Sequence, residues 1–587
     1  MSFITSWCSA RCGGLSLIIL FGICFYALWD NIPQKYGKQR HTGGDPSSPS
    51  TCYYIFAYYS LIVHGCVVIF QLRACWAILQ TTAKLSKVAN QSSLATTILY
   101  RNWKLSWDSL SNSETSDSAS SFSSFDRWEN ETESEDDSEL VTHAILIANY
   151  KENIEVYLAM EVREANAASK ASQLMSKFKN RFRLITATFH PDRLPGESPG
   201  KSSNLSWAAR IASGEYKLAS RKDVILTSID ADSHLSWRYF SEITSMHLSA
   251  PDTSSATLYA APIIFDRNAH RVAAVVRVAD VAWCAAGMSG QYGGSIICPP
   301  TSAYSIPLEL ADRVGGWDVG PEAIGEDLHM YLKCFFALNG DLLVRPVTCP
   351  VSQTNITGVG DARLQGVRAR YRQALRHMWG SLDSGYALGQ IAKLWRRRNV
   401  TREVVWPLHF TEKDKEQNRE NGSVVPVKSP NWLNIFFLFH RLFEAHFMPA
   451  HISILVLTTL LCRYLSSFTT IANSNPLTLI FSATDTLSLI GFLSTLFYFF
   501  TYQTYHALSL QIRKCEMVNV GLADEMEKGD GFSARSWINV LDCVWIPFVA
   551  PLYGSLPAIQ AQLGHFWSRE LVYVVSNKPV RGQGRVE

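Results

Sequence analysis

Residues 223–232 have the sequence DVILTSIDAD, a β-branched run that ends in two aspartates one residue apart. The run is typical of a buried strand, so Asp230 and Asp232 would lie at the strand's carboxyl end. In an α/β domain this edge of the sheet is where functional residues collect. Carboxylates are hard oxygen ligands that suit Mg²⁺ or Mn²⁺ held against a diphosphate. The same pattern also arises by chance, because aspartate often caps a turn or a helix.

Short β-branched runs alternate with amphipathic helical stretches on both sides of this strand. We predict further strands in HAILIANY (143–150), RFRLITATF (181–189) and TLYAAPIIF (257–265), and helices in AASKASQLMSKFKN (167–180) and LSWAARIAS (205–213). This alternation predicts an α/β domain with a mostly parallel sheet.

The overall composition indicates that part of the chain lies in a membrane. Of 587 residues, 47% are apolar and only 18% are charged, below the roughly 25% of soluble domains. The 54 basic and 51 acidic residues leave a formal charge of +3, which gives no reason to expect a nucleic-acid partner. The 13 cysteines show neither a CxxC pair nor zinc-site spacing, so we expect free thiols.

Apolar segments of spanning length flank the α/β region. They cover residues 15–29, 53–72, 448–462, 477–500 and 544–563. We predict five crossings, with four as the alternative, because prolines in the last segment are also compatible with a re-entrant segment. Residues from Asn431 onward mix aromatic and basic side chains as an interfacial helix would. Basic residues near the segment ends favour a cytoplasmic location for the domain.

Residues 109–139 are rich in Ser, Asp and Glu and cannot bury enough apolar area to offset chain entropy. They predict a disordered linker. The predicted organisation is then two transmembrane helices (1–80), a juxtamembrane segment with the acidic linker (81–140), the α/β domain (141–400), a polar linker (401–430), and an interfacial helix with about three membrane segments and a tail (431–587).

Two further motifs follow the DxD motif along the chain. Glu326 and Asp327 open the helical stretch LHMYLKCFFA, where two acids cap a helix or supply a general base that takes a proton from a hydroxyl. The segment RQALRHMW (372–379) offers cations and a tryptophan that could hold a diphosphate or stack on a ring. Its alternative is an amphipathic helix next to the membrane.

In this order and between apolar segments, the three motifs resemble those of membrane-bound family 2 glycosyltransferases. That group includes cellulose, chitin and hyaluronan synthases and ceramide glucosyltransferase, and the chain looks most similar to uncharacterised fungal members. The resemblance covers residues 141–400 and the flanking helices. It implies an α/β fold of the GT-A type, a nucleotide-sugar-binding domain with a mostly parallel sheet, flanked by transmembrane α-helices.

The resemblance also implies roles for individual residues. Asp230 and Asp232 match the metal-binding DxD motif, which implies Mn²⁺ or Mg²⁺ as cofactor. Asp327 matches the acid of the ED motif, the catalytic base, with Glu326 beside it. Residues 301–318 correspond to the acceptor-side segment ahead of the base.

Two other groups of residues are similar to family motifs. The QxxRW signature, which contacts donor diphosphate and acceptor, is similar to Gln373, Arg376 and Trp379, although two extra residues precede the tryptophan. Positions expected to contact the nucleotide donor are Tyr150, Glu152, Glu161, Lys201, Asn204 and Asp230.

The activity implied by the resemblance is transfer of a hexose. The sugar would move from a nucleotide-sugar donor, a UDP-sugar, to a hydroxyl of a lipid or glycan acceptor, with inversion, in polysaccharide or glycolipid synthesis. The protein would be a multi-pass integral membrane protein of the endoplasmic reticulum, Golgi or plasma membrane, with its catalytic domain in the cytoplasm.

The connection between the first two strands departs from the family's pattern. Only a few residues separate the strand ending at Tyr150 from the one starting near Val156, whereas adjacent parallel strands need a crossover of at least about ten to twelve residues. Either these strands are not adjacent and parallel, or the chain lacks a segment that its relatives keep. The second case favours a catalytically inactive member that acts as a membrane binding or scaffold module. A transporter, the third alternative, would need polar residues in its spans, such as Asp485.

Overall fold

The computed structural model describes residues 3–32, 50–110, 142–146, 154–192, 194–198, 200–357, 363–397, 400–417, 422–466, 475–519 and 537–568. The helices ahead of the α/β domain are α1 (Phe3–Ala10), α2 (Cys12–Asp30) and α3 (Thr51–Leu110). The acidic linker predicted over 109–139 lies outside the described residues except for the last two residues of α3.

The α/β domain alternates strands with helices. Its elements are β1 (Thr142–Leu146), β2 (Ile154–Glu161), α4 (Ala167–Phe178), β3 (Leu184–His190), α5 (Lys201–Gly214), β4 (Val224–Ser228), α6 (Trp237–Leu248), α7 (Pro251–Ser254), β5 (Thr257–Ala260), β6 (Ile263–Phe265), α8 (Ala274–Met288), β7 (Tyr304–Pro307), α9 (Leu308–Val314), α10 (Glu326–Ala337), β8 (Leu343–Pro346), β9 (Val351–Gln353), α11 (Arg363–Trp379) and α12 (Leu382–Arg397).

The remaining elements lead into the last apolar region. They are β10 (Arg402–Val405), α13 (Glu412–Gln417), β11 (Ser423–Pro426), α14 (Trp432–Leu442), α15 (Met448–Ser466), α16 (Asn475–Asn519), α17 (Ile546–Ala550) and α18 (Leu556–Gly564). A π-helical turn at Phe443–Phe447 joins α14 to α15, and another at Pro551–Ser555 joins α17 to α18. The stretch predicted as a polar linker therefore contains an antiparallel pair, β10 with β11.

A seven-stranded sheet with the order β3-β2-β1-β4-β7-β5-β8 organises the domain. The pairs β1/β2, β1/β4, β2/β3 and β5/β8 are parallel, while β7 runs antiparallel to both β4 and β5. The α/β prediction is confirmed, and the mostly parallel sheet is confirmed in part. The predicted strand TLYAAPIIF is divided into β5 and β6, which pair with different partners around Pro262, a residue without an N–H donor.

Strands β1 and β2 are adjacent and parallel. His143 lies opposite Ile154, and Ile145 lies opposite Val156. Seven residues, 147–153, connect the two strands, and they lie outside the described residues. This pairing rules out the alternative in which the strands are not neighbours, and the link is shorter than the usual crossover of at least about ten residues.

Both faces of the sheet are covered, which explains why β4 is apolar almost throughout. All five residues of β4 are buried. Ile225 belongs to a cluster with Tyr239 and Phe240 of α6, whereas Leu226 packs in a second cluster with Leu205 of α5. Each such fully buried aliphatic side chain stabilises the fold by roughly 1.5–3 kcal/mol. The central strand is therefore fixed on both sides, and with it the residues that follow it.

Five helices in the described part of the chain are long and apolar enough to cross a membrane. They span Cys12–Asp30, Thr51–Asn90, Trp432–Ser466, Pro476–Val518 and Asn539–Gly564. The stretch predicted as an interfacial helix is continuous with the third of them, because the π-helical turn at Phe443–Phe447 connects α14 to α15 without a break.

Ion pairs connect these helices to one another and to the α/β domain. Asp485 of α16 pairs with Arg463 of α15 at 2.8 Å, which supplies the acid with a partner. Arg277 of α8 pairs with Asp542 at 2.8 Å, and Arg513 of α16 pairs with Asp266, next to β6. The domain is thus anchored at several points to the apolar helices.

Candidate functional site

The loop after β4 carries the DxD motif to the edge of the sheet. Asp230 directly follows Ile229, and its carbonyl accepts a hydrogen bond from the Ser233 N–H at 2.9 Å. The Asp230 carboxylate faces the other acids of the site. Asp232 lies further along the turn, where Arg267 donates to its backbone carbonyl at 2.6 Å.

Glu326 and Asp327 lie at the start of α10 and have different surroundings. Glu326 is buried, and its Oε1 accepts hydrogen bonds from Tyr304 Oη at 2.5 Å and from Trp317 Nε1 at 3.1 Å. Burial, aided by the neighbouring Asp327, raises the pKa of Glu326 even though Lys201 opposes the shift. Both acids line one cavity, but Glu326 is buried whereas Asp327 is half-buried.

Lys201, the first residue of α5, lies between the carboxylates. Its Nζ is 3.0 Å from Asp230 Oδ1 and 2.9 Å from Glu326 Oε2, and it donates to the Ser302 carbonyl at 2.9 Å. Burial alone would lower the pKa of Lys201, but the surrounding carboxylates outweigh burial and raise it. The lysine is therefore a cation that holds the acids together.

Ser302 connects the DxD loop to the predicted base. Its Oγ donates to Asp230 Oδ2 at 2.7 Å, and its backbone N–H donates to Asp327 Oδ2 at 2.8 Å. Gln353 of β9 in turn donates to Ser302 Oγ at 2.7 Å. Ser302 adopts a φ of 72°, a left-handed conformation that is uncommon outside glycine and costs energy unless its surroundings hold it.

The residues expected to contact the nucleotide are described only in part. Tyr150 and Glu152 lie outside the described residues. Glu161, at the end of β2, accepts from Asn204 Nδ2 at 3.4 Å and pairs with Arg163. Glu161 and Asn204 are thus brought together, one turn of α5 away from Lys201.

The residues resembling the QxxRW signature diverge along α11. Arg376 lines the cavity, but Gln373 and Trp379 are not among its lining residues. Trp379 is buried against α18, with its ring edge toward His565 at a centroid distance of 4.8 Å. Trp283 of α8 instead lines the cavity and stacks on His377 at 4.2 Å.

A cavity of about 900 Å³ opens beside these residues and extends between the apolar helices. Its lining at one end includes Lys201, Asp230 and Asp327. At the other end it includes Met448, Ile452 and Tyr553. The candidate site is therefore continuous with a largely apolar space between α15 and the turn that joins α17 to α18.

His329, two residues after Asp327, is fixed between two acids. Its Nδ1 is 2.5 Å from Asp383 Oδ1 and its Nε2 is 3.0 Å from Asp318 Oδ2. Burial would lower the pKa of His329, but Asp383 and Asp318 together raise it to about 9. The imidazolium form is thereby favoured and ties α10 to α12.

Sequence reasoning did not find several of these partners. Ser302, Tyr304 and Trp317 lie in the segment 301–318 that it had assigned to the acceptor side, but no local pattern marks them as ligands of the acids. His329 and Trp283 follow helical spacing like ordinary core residues. Only their partners, which are distant in sequence, reveal their positions in the site.

The described residues do not contain a metal site formed by three or more protein ligands. Within them, no three His, Cys, Asp or Glu side chains converge so as to hold a metal ion. A Mg²⁺- or Mn²⁺-type site can nevertheless consist of one or two carboxylates completed by substrate phosphates and water. Asp230 and Asp232 supply oxygen donors of the right chemistry for that kind of site.

Comparison with known protein families gives a match over part of the chain. Residues 225–502 match the family model described as Glycosyl transferase family group 2. The matched region begins in β4 and includes Asp230, Glu326, Asp327 and Arg376, as well as α15. It supports glycosyl transfer as the activity. A comparison with curated proteins finds no match.

Proposed function

We propose that the protein is a membrane-embedded glycosyltransferase that moves a sugar from a nucleotide donor, a UDP-sugar, to a hydroxyl of a lipid or glycan acceptor. The proposed reaction is a single displacement that inverts the sugar's anomeric configuration. The family match over residues 225–502 supports sugar transfer, and the five apolar helices support a location in a membrane.

The observation that carries the proposal is the cavity that connects Asp327 to the apolar helices. A space of about 900 Å³ accommodates a sugar together with part of an acceptor. Its lining includes the acids near α10 and apolar side chains on α15, with Arg441 and Glu444 just ahead of α15. An acceptor with a lipid portion on the apolar side chains would place its hydroxyl at the acids. This arrangement supports an acceptor that enters from the membrane.

Asp327 is proposed as the general base, with Glu326 as its support. Glu326 is buried and contacted by Tyr304, Trp317 and Lys201, whereas Asp327 is half-buried and accepts only from the backbone N–H groups of Ser302 and Leu328 among the hydrogen bonds described. Asp327 faces the cavity, held by the Ser302 N–H at 2.8 Å. It would take the proton from the acceptor hydroxyl as that oxygen attacks the sugar. Arg376, which also lines the cavity, would add positive charge near the departing diphosphate.

A divalent cation is proposed as the cofactor, held by Asp230 and Asp232 together with the donor's phosphates. When bound, Mn²⁺ or Mg²⁺ would neutralise negative charge on the diphosphate. Glu161, Lys201 and Asn204 would lie on the donor side of the same site. Tyr150 and Glu152 complete the proposed donor contacts. Gln373 and Trp379, which do not line the cavity, would support the contact of Arg376 with the diphosphate and acceptor.

An inactive membrane binding or scaffold module is the second candidate. The observation that favours it is the seven-residue link between the parallel neighbours β1 and β2, where a crossover helix is usual. Such a protein would keep the acids and the cavity without turning over a donor.

The two candidates differ in release of nucleoside diphosphate. Detergent-purified protein is incubated with Mn²⁺ and a panel of nucleotide sugars, with water replacing the missing acceptor, and released diphosphate is measured. We expect release from one UDP-sugar, loss of release in Asp232→Asn, and normal release in Asp252→Asn, whose exposed side chain lies on α7. Absence of release from protein that is folded by size exclusion and thermal melting would favour the inactive module.

A further inference from the structure

The ammonium of Lys201 is surrounded by three oxygens inside the site, two in ion pairs with Asp230 and Glu326 and one in a hydrogen bond with the Ser302 carbonyl. A lysine ammonium has three N–H donors, and three oxygens surround this one: Asp230 Oδ1 at 3.0 Å, Glu326 Oε2 at 2.9 Å and the Ser302 carbonyl at 2.9 Å. The proposed donor contact would bring this cation near the phosphates, whereas in this structure it contacts two carboxylates.

The position of the ammonium conflicts with that of a metal ion on the same carboxylate. Asp230 Oδ1 contacts Lys201, and Asp230 Oδ2 accepts from Ser302 Oγ at 2.7 Å. A divalent cation binding directly to Asp230 would stand within a few ångströms of the ammonium, where like charges repel strongly in a partly buried setting. Direct binding of a metal ion to Asp230 would therefore place two cations on one carboxylate, and their repulsion favours displacement of the ammonium.

The backbone around Lys201 is fixed, so any rearrangement falls to its side chain. Ser202 Oγ donates to the Asp318 carbonyl at 2.6 Å, and Ser203 Oγ donates to the Ser198 carbonyl at 2.5 Å. The lysine side chain itself is one-quarter exposed and lines the large cavity. Its flexible four-carbon stem allows the ammonium to turn toward the cavity without movement of α5.

We propose that Lys201 is a place-holding cation, which neutralises Asp230 and Glu326 in the donor-free protein and leaves Asp230 when the metal ion arrives with the donor diphosphate. The inference rests on the proposed function, because it assumes a nucleotide-diphosphate donor and a metal ion on Asp230. In the donor-bound state the ammonium contacts the diphosphate. The lysine thus makes metal binding dependent on the donor. When the Lys201 ammonium leaves Asp230, the lost ion pair is replaced only if phosphate oxygens of the donor are present.

The test measures Mn²⁺ binding directly, from the electron paramagnetic resonance signal of free Mn²⁺, with full-length protein in detergent. We expect UDP to tighten Mn²⁺ binding by the unmodified protein at least tenfold. Lys201→Gln should bind Mn²⁺ without UDP at least tenfold more tightly than the unmodified protein. Lys170→Gln, which removes an exposed lysine paired with Glu164, should behave like the unmodified protein.

Two further measurements make the outcome decisive. Adding Asp230→Asn to Lys201→Gln should abolish the gained binding, and gained binding that persists would overturn the proposal. If Lys201→Gln does not fold, Lys201→Met replaces it. The unmodified protein gives a separate criterion, because equal Mn²⁺ affinity with and without UDP contradicts a place-holding lysine.

The results separate this inference from the proposed function. Equal Mn²⁺ affinity of the unmodified protein and Lys201→Gln without UDP, alongside normal UDP release, would overturn the role of Lys201 alone. Absence of Mn²⁺ binding in every variant even with UDP, together with absence of UDP release, would contradict the proposed function itself.

Discussion

The two halves of the α/β domain differ in how they are built. The N-terminal half, defined as β1–β3 with α4 and α5, has a seven-residue link between two parallel neighbours. The C-terminal half, defined as β4–β9 with α6–α12, contains the acids and is anchored to the apolar helices by Arg277–Asp542 and Arg513–Asp266. The family match begins at residue 225, in the first strand of the C-terminal half.

The difference separates two requirements of a transferase, which are a general base beside the acceptor and a binding site for the donor. The proposed base belongs to the C-terminal half, which lines the cavity together with the apolar helices, whereas Glu161 and Asn204 on the proposed donor side belong to the N-terminal half. The C-terminal half can therefore be complete while binding of the donor is weakened. Lys201 is the residue of the N-terminal half that reaches across to Asp230 and Glu326, so it connects the two requirements.

The largest effect is expected from Asp327→Asn in the C-terminal half. Removal of a general base should lower sugar transfer by roughly 10²- to 10⁴-fold, while donor affinity changes little. Transfer rates and UDP affinity are measured in parallel, with Asp252→Asn as the matched control. Transfer retained by Asp327→Asn would show that the base lies elsewhere and would break the assignment of chemistry to this half.

The next largest effect concerns Arg221, which joins the two halves. Its guanidinium lies 2.8 Å from Asp312 of α9 and donates to Ser213 Oγ of α5 at 2.8 Å, with both charged groups buried. Arg221→Met leaves Asp312 buried without its cation, which should destabilise the domain by about 3–5 kcal/mol.

The thermal unfolding midpoint measures this loss. Burial raises the pKa of Asp312 to about 6 although Arg221 opposes the shift, so the loss in Arg221→Met should be smaller at pH 5 than at pH 8. Lys222→Met, which removes the neighbouring exposed lysine, is the control and should leave the midpoint nearly unchanged. A similar small effect for Arg221→Met would mean that the halves are stable independently.

A smaller effect is expected from pH, through His329 in the C-terminal half. Its pKa is about 9 in the folded protein and 6.5 without its partners. Because the folded value is the higher one, the stabilisation is complete below pH 6.5 and is lost as pH rises through 9. The shift corresponds to roughly 3 kcal/mol.

Comparison of variants isolates this contribution from other titrating groups. The unfolding midpoint of the unmodified protein should fall between pH 6.5 and 9 more steeply than that of His329→Asn. His270→Asn, at an exposed histidine, should retain the steep fall. Parallel pH profiles for His329→Asn and the unmodified protein would contradict a charged His329 between Asp318 and Asp383.

The smallest expected effect compares the two halves directly. Because the seven-residue link between β1 and β2 is shorter than the usual crossover, we expect the amide protons of β1 to exchange with solvent at least tenfold faster than those of β4. Hydrogen–deuterium exchange with mass spectrometry measures both strands in one sample. Equal protection of β1 and β4 would show that the short link does not weaken the N-terminal half.

The parts of the fold that the sequence predicted correctly are those with a local signal. The apolar run ending at Asp230 identified the central strand, and the acids at the start of α10 were found from a helix-start pattern. The division of TLYAAPIIF was missed because each half has the same β-branched composition, and the partners of β5 and β6 are far away in sequence.

The site was less predictable because its geometry depends on long-range contacts. The contact of Lys201 with the nucleotide stays a prediction, and its contacts with Asp230 and Glu326, which lie 29 and 125 positions away in the chain, were not predicted. The positive φ of Ser302 could not be predicted, because the usual sequence signal of a left-handed conformation is glycine and this residue is a serine. The roles of all the predicted site residues stay predictions, and the stacked pair Trp283 and His377 adds an aromatic surface that spacing along α11 did not indicate.

The two π-helical turns have a consequence for the evolution of the acceptor cavity. Each lies beside it, through His446 on one helix and Ser555 on the other. A π turn contains one residue more than the α-helical turn it replaces, and one residue corresponds to a rotation of about 100° around a helix axis. Single-residue insertions or deletions at these turns would therefore exchange the side chains that line the cavity while leaving both helices intact. The two turns would let acceptor preference diverge among relatives without any change to the acids of the sheet.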